Sequence, residues 1–426
     1  MVIYTIGKGD SVYSIASKYG MSPQKVIDDN GIADPQQLVV GQALVLMVDS
    51  VSHAVEPGES LYTIARSYQT TVQQLLEANP QITDSSRILA GQTITIPVTT
   101  QKLGTIDVNG YAIPGISEAV LADTLPYLTY ISIFSYQVKA DGTLIPANDE
   151  AILQAALKEH AAPMMVITNT EEGKGFSSDI ANAVLTDPQV SDNLLNNVVS
   201  VLQQKNYFGL NIDFEYIYQK DRENYNKFLR KAVNRLRPMG YIVTTSLAPK
   251  TEAGQRGLLY EAHDYPVHGT LADKVILMTY EWGYTYGPAR PIAPLNLVEQ
   301  VIKYAVSVIS NEKVLMGMPN YGYDWTLPFV RGTAARLLTN TGAVRLAAEV
   351  GAQIQFDTVA QSPYFQYFAS DGKKHTVWFE DARSVEAKLR LADRYQLGGV
   401  SYWTINGFFP QNWLVLESLY LIRKVR

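Results

Sequence analysis

From Leu103 onward, segments typical of β-strands alternate with segments typical of α-helices. This alternation favours a parallel β/α architecture, because the connection between two parallel strands is long enough to form a helix. The predicted strands are Thr105–Ala112, Tyr130–Phe134, Met164–Thr168, Gly209–Glu215, Ile242–Leu247, Val275–Tyr280, Val314–Met318 and Gly399–Thr404. Eight strands within residues 103–426 predict an α/β fold, a TIM (β/α)8 barrel with insertions.

The N-terminal part of the chain contains an internal repeat. Gly9–Ala16 matches Gly58–Ala65 at an offset of 49 residues, whereas Gly41 matches Gly91 at an offset of 50. Each copy predicts the order β-α-α-β, because a serine stands where the first helix would begin and apolar residues then recur at helical spacing. A predicted linker at residues 97–102 separates the second copy from the barrel.

The repeat resembles the LysM module, a β-α-α-β unit that binds glycans containing N-acetylglucosamine. The resemblance covers residues 2–48 and 52–97, and an unrelated small repeat is the alternative. It implies that two loops of each copy contact glycan, mostly through backbone groups. The implied residues are Gly9, Asp10, Ser11, Val12, Gly31 and Ile32 in the first copy, and Gly58, Glu59, Ser60, Leu61, Gln81 and Ile82 in the second. Two linked weak sites would raise the effective concentration on a polymer.

The strand predicted at Gly209–Glu215 carries polar side chains on one face. Asn211, Asp213 and Glu215 share that face, because side chains alternate along a strand. Such groups are costly in a buried strand unless they have a function. Two carboxyl groups this close repel each other, so one should keep its proton above the usual pKa of about 4.3, as a general acid requires. An Asp-x-Glu motif taken alone on a strand would more often be a surface pair than a catalytic pair.

Residues 208–215 resemble the active-site strand of the family 18 glycoside hydrolases, the chitinase-like enzymes, whose pattern is Asp-Gly-x-Asp-x-Asp-x-Glu. Gly209, Asp213 and Glu215 match this pattern, whereas Phe208 and Asn211 replace its other aspartates. Phe208 is expected to cost little, because it lies toward the start of the strand. Asn211 is expected to hydrogen-bond Asp213 but cannot accept its proton, so the family's two-aspartate relay is not expected here and the pH profile should differ.

The resemblance implies substrate-assisted catalysis, which distinguishes this family from most retaining glycosidases. Glu215 would protonate the leaving oxygen and later act as base on water. Asp213 would bond the nitrogen of the substrate's 2-acetamido group, whose carbonyl attacks the anomeric carbon. Tyr280, in a Met-x-Tyr motif on the sixth strand, would donate to that carbonyl. The substrate must therefore carry an N-acetyl group on the sugar that is cleaved.

Further residues match substrate-binding positions of the family. Trp403 would form the floor of the cleavage subsite, and Glu281 stands where an acidic residue usually follows the Met-x-Tyr motif. Tyr111, Phe134 and Tyr321 also fit family positions, and Asn211 and Trp282, which do not rest on such a match, are further expected to bind substrate. Tyr284 and Tyr286 would share the cleft rim with Trp282, although for these three aromatic residues loop packing is an equal alternative.

The gap between the seventh and eighth strands is too long for one helix. It contains two strand-like runs, Ile354–Asp357 and His375–Glu380, with a polar turn between them. This pattern resembles the small α+β insertion of many family 18 enzymes, which adds a wall to the cleft. An ordinary surface elaboration is the alternative.

Composition excludes several classes of function. A net charge of -6 and a pI near 5.5 give no electrostatic footprint for nucleic acid. The absence of cysteine rules out disulfides. His263 and His268 are expected in a surface loop, and neither a metal nor an organic cofactor is expected. No apolar stretch reaches membrane-spanning length, and no signal peptide is recognised, so membrane insertion is not expected.

The domain order resembles that of family 18 glycosaminidases that act on the spore cortex of spore-forming bacteria. It implies a retaining β-N-acetylglucosaminidase with peptidoglycan as its partner, located in the spore coat or cortex after synthesis in the mother cell without a signal peptide. A cell-wall-associated or cytoplasmic location is the alternative. A chitinase that holds chitin through its LysM modules, and an inactive glycan-binding barrel, remain rival functions. The sequence does not indicate an oligomeric state.

Overall fold

The computed structural model describes residues 1–68, 70–98 and 101–425. Each N-terminal repeat forms the predicted β-α-α-β unit, and its two strands pair antiparallel. The first repeat consists of β1 (Val2–Thr5), α1 (Val12–Lys18), α2 (Pro23–Asn30) and β2 (Ala43–Leu46). The second repeat consists of β3 (Ser50–Ala54), α3 (Leu61–Ser67), α4 (Val72–Ala78) and β4 (Thr93–Pro97). The predicted linker lies partly outside the described residues.

The same side chains hold both repeats together. Ser11 and Ser60 each cap the first helix of their repeat by accepting from the backbone N–H three residues later. Buried Asn30 links helix and strand, since its Nδ2 donates to the Val26 and Val45 carbonyls and its Oδ1 accepts from the Val45 amide. Asn79 makes the equivalent bonds in the second repeat. These buried amides explain why the asparagine recurs.

The remaining chain forms a closed barrel with additions. Its strands are β5 (Gly104–Ala112), β6 (Tyr130–Val138), β7 (Leu144–Ile145), β8 (Ala162–Thr168), β9 (Thr170–Glu171), β10 (Gly175–Phe176), β11 (Gly209–Asp213), β12 (Ile242–Leu247), β13 (Lys274–Leu277), β14 (Val314–Pro319), β15 (Gly322–Leu327), β16 (Arg336–Leu338), β17 (Gln355–Asp357), β18 (Ser362–Phe368), β19 (Lys374–Trp378), β20 (Gly399–Trp403) and β21 (Tyr420–Ile422). The parallel order β5-β6-β8-β11-β12-β13-β14-β20 closes on β5, so the predicted TIM barrel is confirmed.

Helices surround the barrel and follow its strands. They are α5 (Glu118–Thr124), α6 (Glu150–Lys158), α7 (Ser178–Thr186), α8 (Pro188–Lys205), α9 (Arg222–Leu236), α10 (Tyr265–Leu271), α11 (Leu295–Val306), α12 (Asn340–Glu349), α13 (Ala382–Arg394) and α14 (Pro410–Leu419), with 3-10 turns at Leu125–Tyr127, Gln219–Asp221, Arg237–Met239 and Asn311–Lys313. The apolar faces of these helices, except that of α12, share one large core with the barrel strands. Among the described residues, no helix has the length and apolarity needed to cross a bilayer.

Predicted strand ends differ from the observed ones by up to four residues, as in β6, and two of these differences bear on the site. β11 stops at Asp213 and β13 stops at Leu277, so Glu215 and Tyr280 lie beyond the sheet ladder. Both side chains therefore stand on loops at the carboxyl edge of the barrel. Gly209, at the start of β11, is required by close packing: a Cβ there would lie 2.4 Å from the Ile242 carbonyl oxygen on β12.

The insertion between the seventh and eighth barrel strands has the predicted α+β form. It is a five-stranded antiparallel sheet with the order β16-β15-β19-β18-β17. Ala343 and Ala347 on α12 pack against Phe365, Val377 and Phe379 on and beside the sheet. The small alanines let the helix approach the sheet closely.

The first repeat packs on the barrel, a contact that the sequence analysis did not predict. Leu44 and Leu46 of β2 enter the repeat's own core, whereas Ala43 and Val45 on the opposite face join the barrel core. β2 is therefore buried on both faces, between the core of the first repeat and the core of the barrel.

Candidate active site

A cavity of about 400 Å³ opens at the carboxyl ends of the barrel strands. Most of the side chains expected to contact substrate line it. These are Tyr111, Phe134, Asp213, Glu215, Tyr280, Glu281, Trp282, Tyr284 and Trp403. Residues from five different barrel strands or the loops after them thus converge on one cavity, as is usual for enzymes of this fold.

Glu215 is held by side chains rather than by the sheet. The Asn169 Oδ1 accepts from the Glu215 amide at 3.0 Å, and its Nδ2 donates to the Glu215 carbonyl at 2.8 Å. Tyr216 then adopts a φ of 53°, a region that residues other than glycine rarely occupy. This turn leads the chain away from the barrel and leaves Glu215 facing the cavity.

His263 holds the adjacent peptide from the opposite side. The Ala248 amide donates to Nδ1 at 2.8 Å, so the proton lies on Nε2, which donates to the Phe214 carbonyl at 3.0 Å. Burial lowers the pKa of His263 to about 4, and the ring is neutral at ordinary pH. The expected surface location of His263 and His268 is wrong, because both rings are buried.

We expect Asn169→Ala to lower kcat by about 100-fold with a smaller change in KM, because a misplacement of about 1 Å can cost that much. Asn169→Asp should lose less, since it keeps the acceptor for the Glu215 amide. Steady-state kinetics of both variants test this expectation. Asn197→Ala is a matched control, as Asn197 also bonds a backbone carbonyl but lies on α8. An unchanged kcat in Asn169→Ala would contradict the positioning role.

The two central carboxyl groups are strongly perturbed. Burial raises the pKa of Asp213 to about 7, and the Ser246 hydroxyl partly opposes that rise. Burial, followed by the Asp213 and Glu281 carboxylates, raises the pKa of Glu215 well above its ordinary value. The pair therefore holds a proton near neutral pH. A buried acid beside a second carboxyl group is the arrangement that general acid catalysis needs.

Asn211 lies beneath the cavity rather than in its wall. The Tyr111 hydroxyl donates to its Oδ1 at 3.0 Å, and its Nδ2 donates to the Thr244 hydroxyl at 2.9 Å. Among the described residues no hydrogen bond joins Asn211 to Asp213, so that expectation is wrong, and the Asn211 amide donates to the Thr244 hydroxyl. Asn211 instead orients the Tyr111 ring.

Aromatic rings form the floor of the cavity. Trp403 packs edge-on against Phe134, with ring centroids 4.8 Å apart, and against Tyr111, with centroids 5.4 Å apart. These contacts fix the indole plane, while part of Trp403 remains exposed to the cavity. A fixed aromatic face is suited to the apolar face of a sugar.

Tyr280 can act as a hydrogen-bond donor. Burial, together with neighbouring tyrosine and carboxyl groups, raises the pKa of its hydroxyl well above the ordinary value. The proton therefore stays on the hydroxyl throughout the pH range of most enzymes.

Glu281 is half-buried at the side of the cavity. It accepts hydrogen bonds from the Tyr321 hydroxyl and, at 3.2 Å, from the Tyr323 hydroxyl. Burial raises the pKa of Glu281, and these two bonds oppose the rise. Tyr321, which was expected to bind substrate, does not line the cavity. Its hydroxyl supports Glu281 instead.

The cleft rim combines predicted and unpredicted side chains. Trp282 and Tyr284 line the cavity, but Tyr286 does not. The residues that the sequence analysis missed are Phe176, Tyr216, Pro249, Leu259, Tyr260 and Met278. Met278 lies in the recognised motif and Phe176 ends the short strand β10, whereas the others belong to loops whose path over the barrel has no periodic signal.

The loops implied for glycan contact in the repeats are built alike. Asp10 accepts from the Gly7 amide and the Tyr4 hydroxyl, both at 2.7 Å. Glu59 similarly accepts from the Glu56 amide and bonds the His53 ring at 2.7 Å. The Val12 and Leu61 side chains are buried, whereas Gly9, Ser11, Gly58 and Ser60 are exposed. Ile32 and Ile82 are half-buried. These side chains mainly shape the loops.

Comparison with known families agrees with this geometry. The model described as "Glycosyl hydrolases family 18" matches residues 93–407, and the LysM domain model matches residues 4–46 and 53–97. The chain belongs to glycosyl hydrolase family 18. It is therefore a glycoside hydrolase, and it carries two LysM domains.

Relatives align along the whole chain. The "Cortical fragment-lytic enzyme" of Bacillus anthracis is 39% identical over 430 residues, which cover 99% of each chain. The crystal structure of the Bacillus megaterium QM B1551 spore cortex-lytic enzyme SleL has a TM-score of 0.91 and 35% identity, with 100% of this chain and 99% of that chain covered. The Bacillus cereus spore cortex-lytic enzyme SleL has a TM-score of 0.86 and 39% identity, with 99% and 98% covered.

Proposed function

We propose that this glycoside hydrolase is a retaining β-N-acetylglucosaminidase that cleaves spore cortex peptidoglycan or its fragments during germination. The observation that carries the proposal is the match of the whole chain, both LysM domains included, to relatives called cortical fragment-lytic or spore cortex-lytic enzymes. Its site of action would be the spore cortex, and the LysM domains would bind the same glycan.

In the proposed first step, the acetamido carbonyl oxygen of the bound sugar forms a bond to the anomeric carbon. The bond to the leaving oxygen breaks, and Glu215 gives that oxygen its proton. The product is an oxazolinium ion that remains bound to the protein. In the second step, ionised Glu215 takes a proton from water, whose oxygen attacks the anomeric carbon and reopens the ring. Two displacements at one carbon retain its configuration.

Asp213 would stabilise the positive charge that develops on the acetamido group. Its Oδ1 is buried without a hydrogen-bond partner among the described residues, which is costly for the free protein. An acetamido N–H would supply the missing donor. Tyr280, which keeps its proton, would donate to the acetamido oxygen, and Trp403 would support the sugar ring.

The test is digestion of purified cortex fragments and of chitin, with products identified by mass spectrometry. Cortex products that end in reducing N-acetylglucosamine are expected, with much slower release from chitin. Cortex products that end in reducing muramic acid would contradict the bond assignment. Release from chitin alone would favour the rival chitinase function.

We expect the activity to fall as pH rises through the raised pKa of Glu215, because the acid must be protonated to serve the leaving group. The Glu281 carboxylate contributes to that raised pKa. Glu281→Gln should therefore move the alkaline limb of kcat/KM to lower pH while keeping an acceptor for Tyr321. Glu77→Gln in the second repeat is the control and should leave the limb in place. An alkaline limb that stays in place in Glu281→Gln would contradict this electrostatic coupling.

A further inference from the structure

A second cavity, of about 570 Å³, lies between the first repeat and the barrel. One wall is the loop that follows α2, another is α12 of the insertion, and the third is the start of α14. We propose that this cavity is a glycan-binding subsite that holds an uncharged, N-acetylated segment of the same strand that is cut in the active site. The inference rests on the proposed function, since it assumes a polymeric glycan substrate.

The walls of this cavity are rigidly connected. The Gln411 Nε2, on α14, donates to Asn30 Oδ1 and to the Ala43 carbonyl, both at 2.9 Å. The Ile354 amide of the insertion donates to the Val40 carbonyl at 2.9 Å. Gly41 packs so closely there that a Cβ would lie 1.8 Å from the Ile354 carbonyl oxygen. The cavity therefore exists before ligand binds, which lowers the entropy cost of binding.

The lining chemistry suits a neutral sugar. Phe408 and Pro410 offer apolar surface, and Gln37 and Thr341 offer groups that can donate and accept hydrogen bonds. The charged residues that line the cavity are three carboxylates, Asp28, Asp34 and Glu349, and one guanidinium group, Arg345. This excess of negative charge disfavours ligands that carry a carboxylate and leaves uncharged N-acetylated sugars as the fitting class.

The cavity lies close to the active site. Phe408 follows Trp403, the floor of the active-site cavity, by five residues, so their Cα atoms are at most about 18 Å apart. The segment between them is fixed, because the Asn320 Nδ2 donates to the Thr404 and Gly407 carbonyls at 2.9 and 2.8 Å. A glycan of several sugars is long enough to span this distance, and occupation of both cavities would raise its affinity over that of a short one.

The second repeat offers an internal control, because no cavity found among the described residues joins its corresponding loop to the barrel. Leu89, which corresponds to buried Val39, is 72% exposed. Arg87 corresponds to Gln37 at the offset of 50 and lies on the same loop of its own repeat. A large side chain at Arg87 tests general effects on a LysM loop without touching the cavity.

The experiment fills the cavity from two walls, with Gln37→Trp and Arg345→Trp as separate variants. Both positions are exposed, so the fold should tolerate the change. We expect each variant to lose about tenfold in kcat/KM on long cortex glycan fragments, through KM, with little change on the shortest cleaved fragment. Arg87→Trp should behave like the wild type. Wild-type kinetics on long fragments in both filled variants, or an equal loss in Arg87→Trp, would overturn the proposal.

Direct binding separates this inference from the proposed activity. Isothermal titration of a long N-acetylglucosamine oligomer into Glu215→Gln should show tighter binding than into the double variant Glu215→Gln/Gln37→Trp. If the wild type cleaves no glycan but this difference persists, the activity is wrong and the subsite stands. If cleavage occurs and the difference is absent, the subsite is wrong and the activity stands.

Discussion

Glu215→Gln is expected to lower kcat on peptidoglycan fragments by about 10²- to 10⁴-fold, the usual contribution of a general acid, while KM changes little. Glutamine has nearly the same shape and accepts the same packing, but it cannot give a proton to the leaving oxygen. The amide of residue 215 should still be held by Asn169, since that contact involves only the backbone. Steady-state kinetics measure the loss.

The leaving group provides the control for this variant. A strongly acidic phenol leaves an aryl glycoside as phenolate without being protonated. In Glu215→Gln the release of this phenol in the first step should therefore approach the wild-type rate. The attack of water on the oxazolinium ion would then limit turnover, because Glu215→Gln also lacks the base for this second step. An equal loss on both substrates, measured in the first turnover, would contradict the role of Glu215 as acid.

Asp213→Asn is expected to lower kcat by about 10²- to 10³-fold, as loss of a single charge-stabilising group commonly does. The same variant should be more stable than the wild type at neutral pH. In the unfolded chain this carboxyl ionises near its ordinary pKa of about 3.9, whereas burial raises the folded value to about 7. Between these values unfolding releases a proton, so rising pH destabilises the wild type.

Denaturant unfolding as a function of pH measures this second effect. The free energy of unfolding of Asp213→Asn should exceed that of the wild type by about 1 to 4 kcal/mol above pH 7, and the difference should shrink as pH falls toward 4. Lower stability at every pH, or unimpaired activity, would contradict the account of a buried carboxyl kept for catalysis. The buried carboxyl group of Asp213 thus lowers stability and serves catalysis, since an amide at this position would give a more stable protein.

The barrel strands could be predicted because their apolar runs are long and regularly spaced, and the paired carboxylates stood out against that background. The exact ends of β11 and β13 could not, because they depend on contacts from distant loops. The Asn169 side chain accepts the hydrogen bond of the Glu215 amide, which would otherwise be available to continue β11. Nothing in the local sequence distinguishes Asn169 from other asparagines. His263 was misplaced for the same reason: its burial depends on Phe214 and Ala248, far away in sequence.

The sequence of β2 contains a signal for the docking of the first repeat on the barrel. β2 reads Ala-Leu-Val-Leu, apolar on both faces, whereas β4 reads Thr-Ile-Thr-Ile at the corresponding positions. A repeat that stands free needs one apolar face, and a second apolar face indicates a partner. Comparing the two copies position by position would have assigned the barrel contact to Ala43 and Val45.

The central claim, catalysis by the substrate's own acetamido group, is tested most directly by weakening that nucleophile. The measurement is kcat for aryl glycosides of an N-acetylglucosamine oligomer whose acyl group at the cleaved sugar carries an increasing number of fluorine atoms. Fluorine withdraws electrons from the carbonyl oxygen that attacks the anomeric carbon, so kcat should fall steeply with each substitution. A kcat that is insensitive to fluorination would contradict substrate assistance and require a nucleophile from the protein.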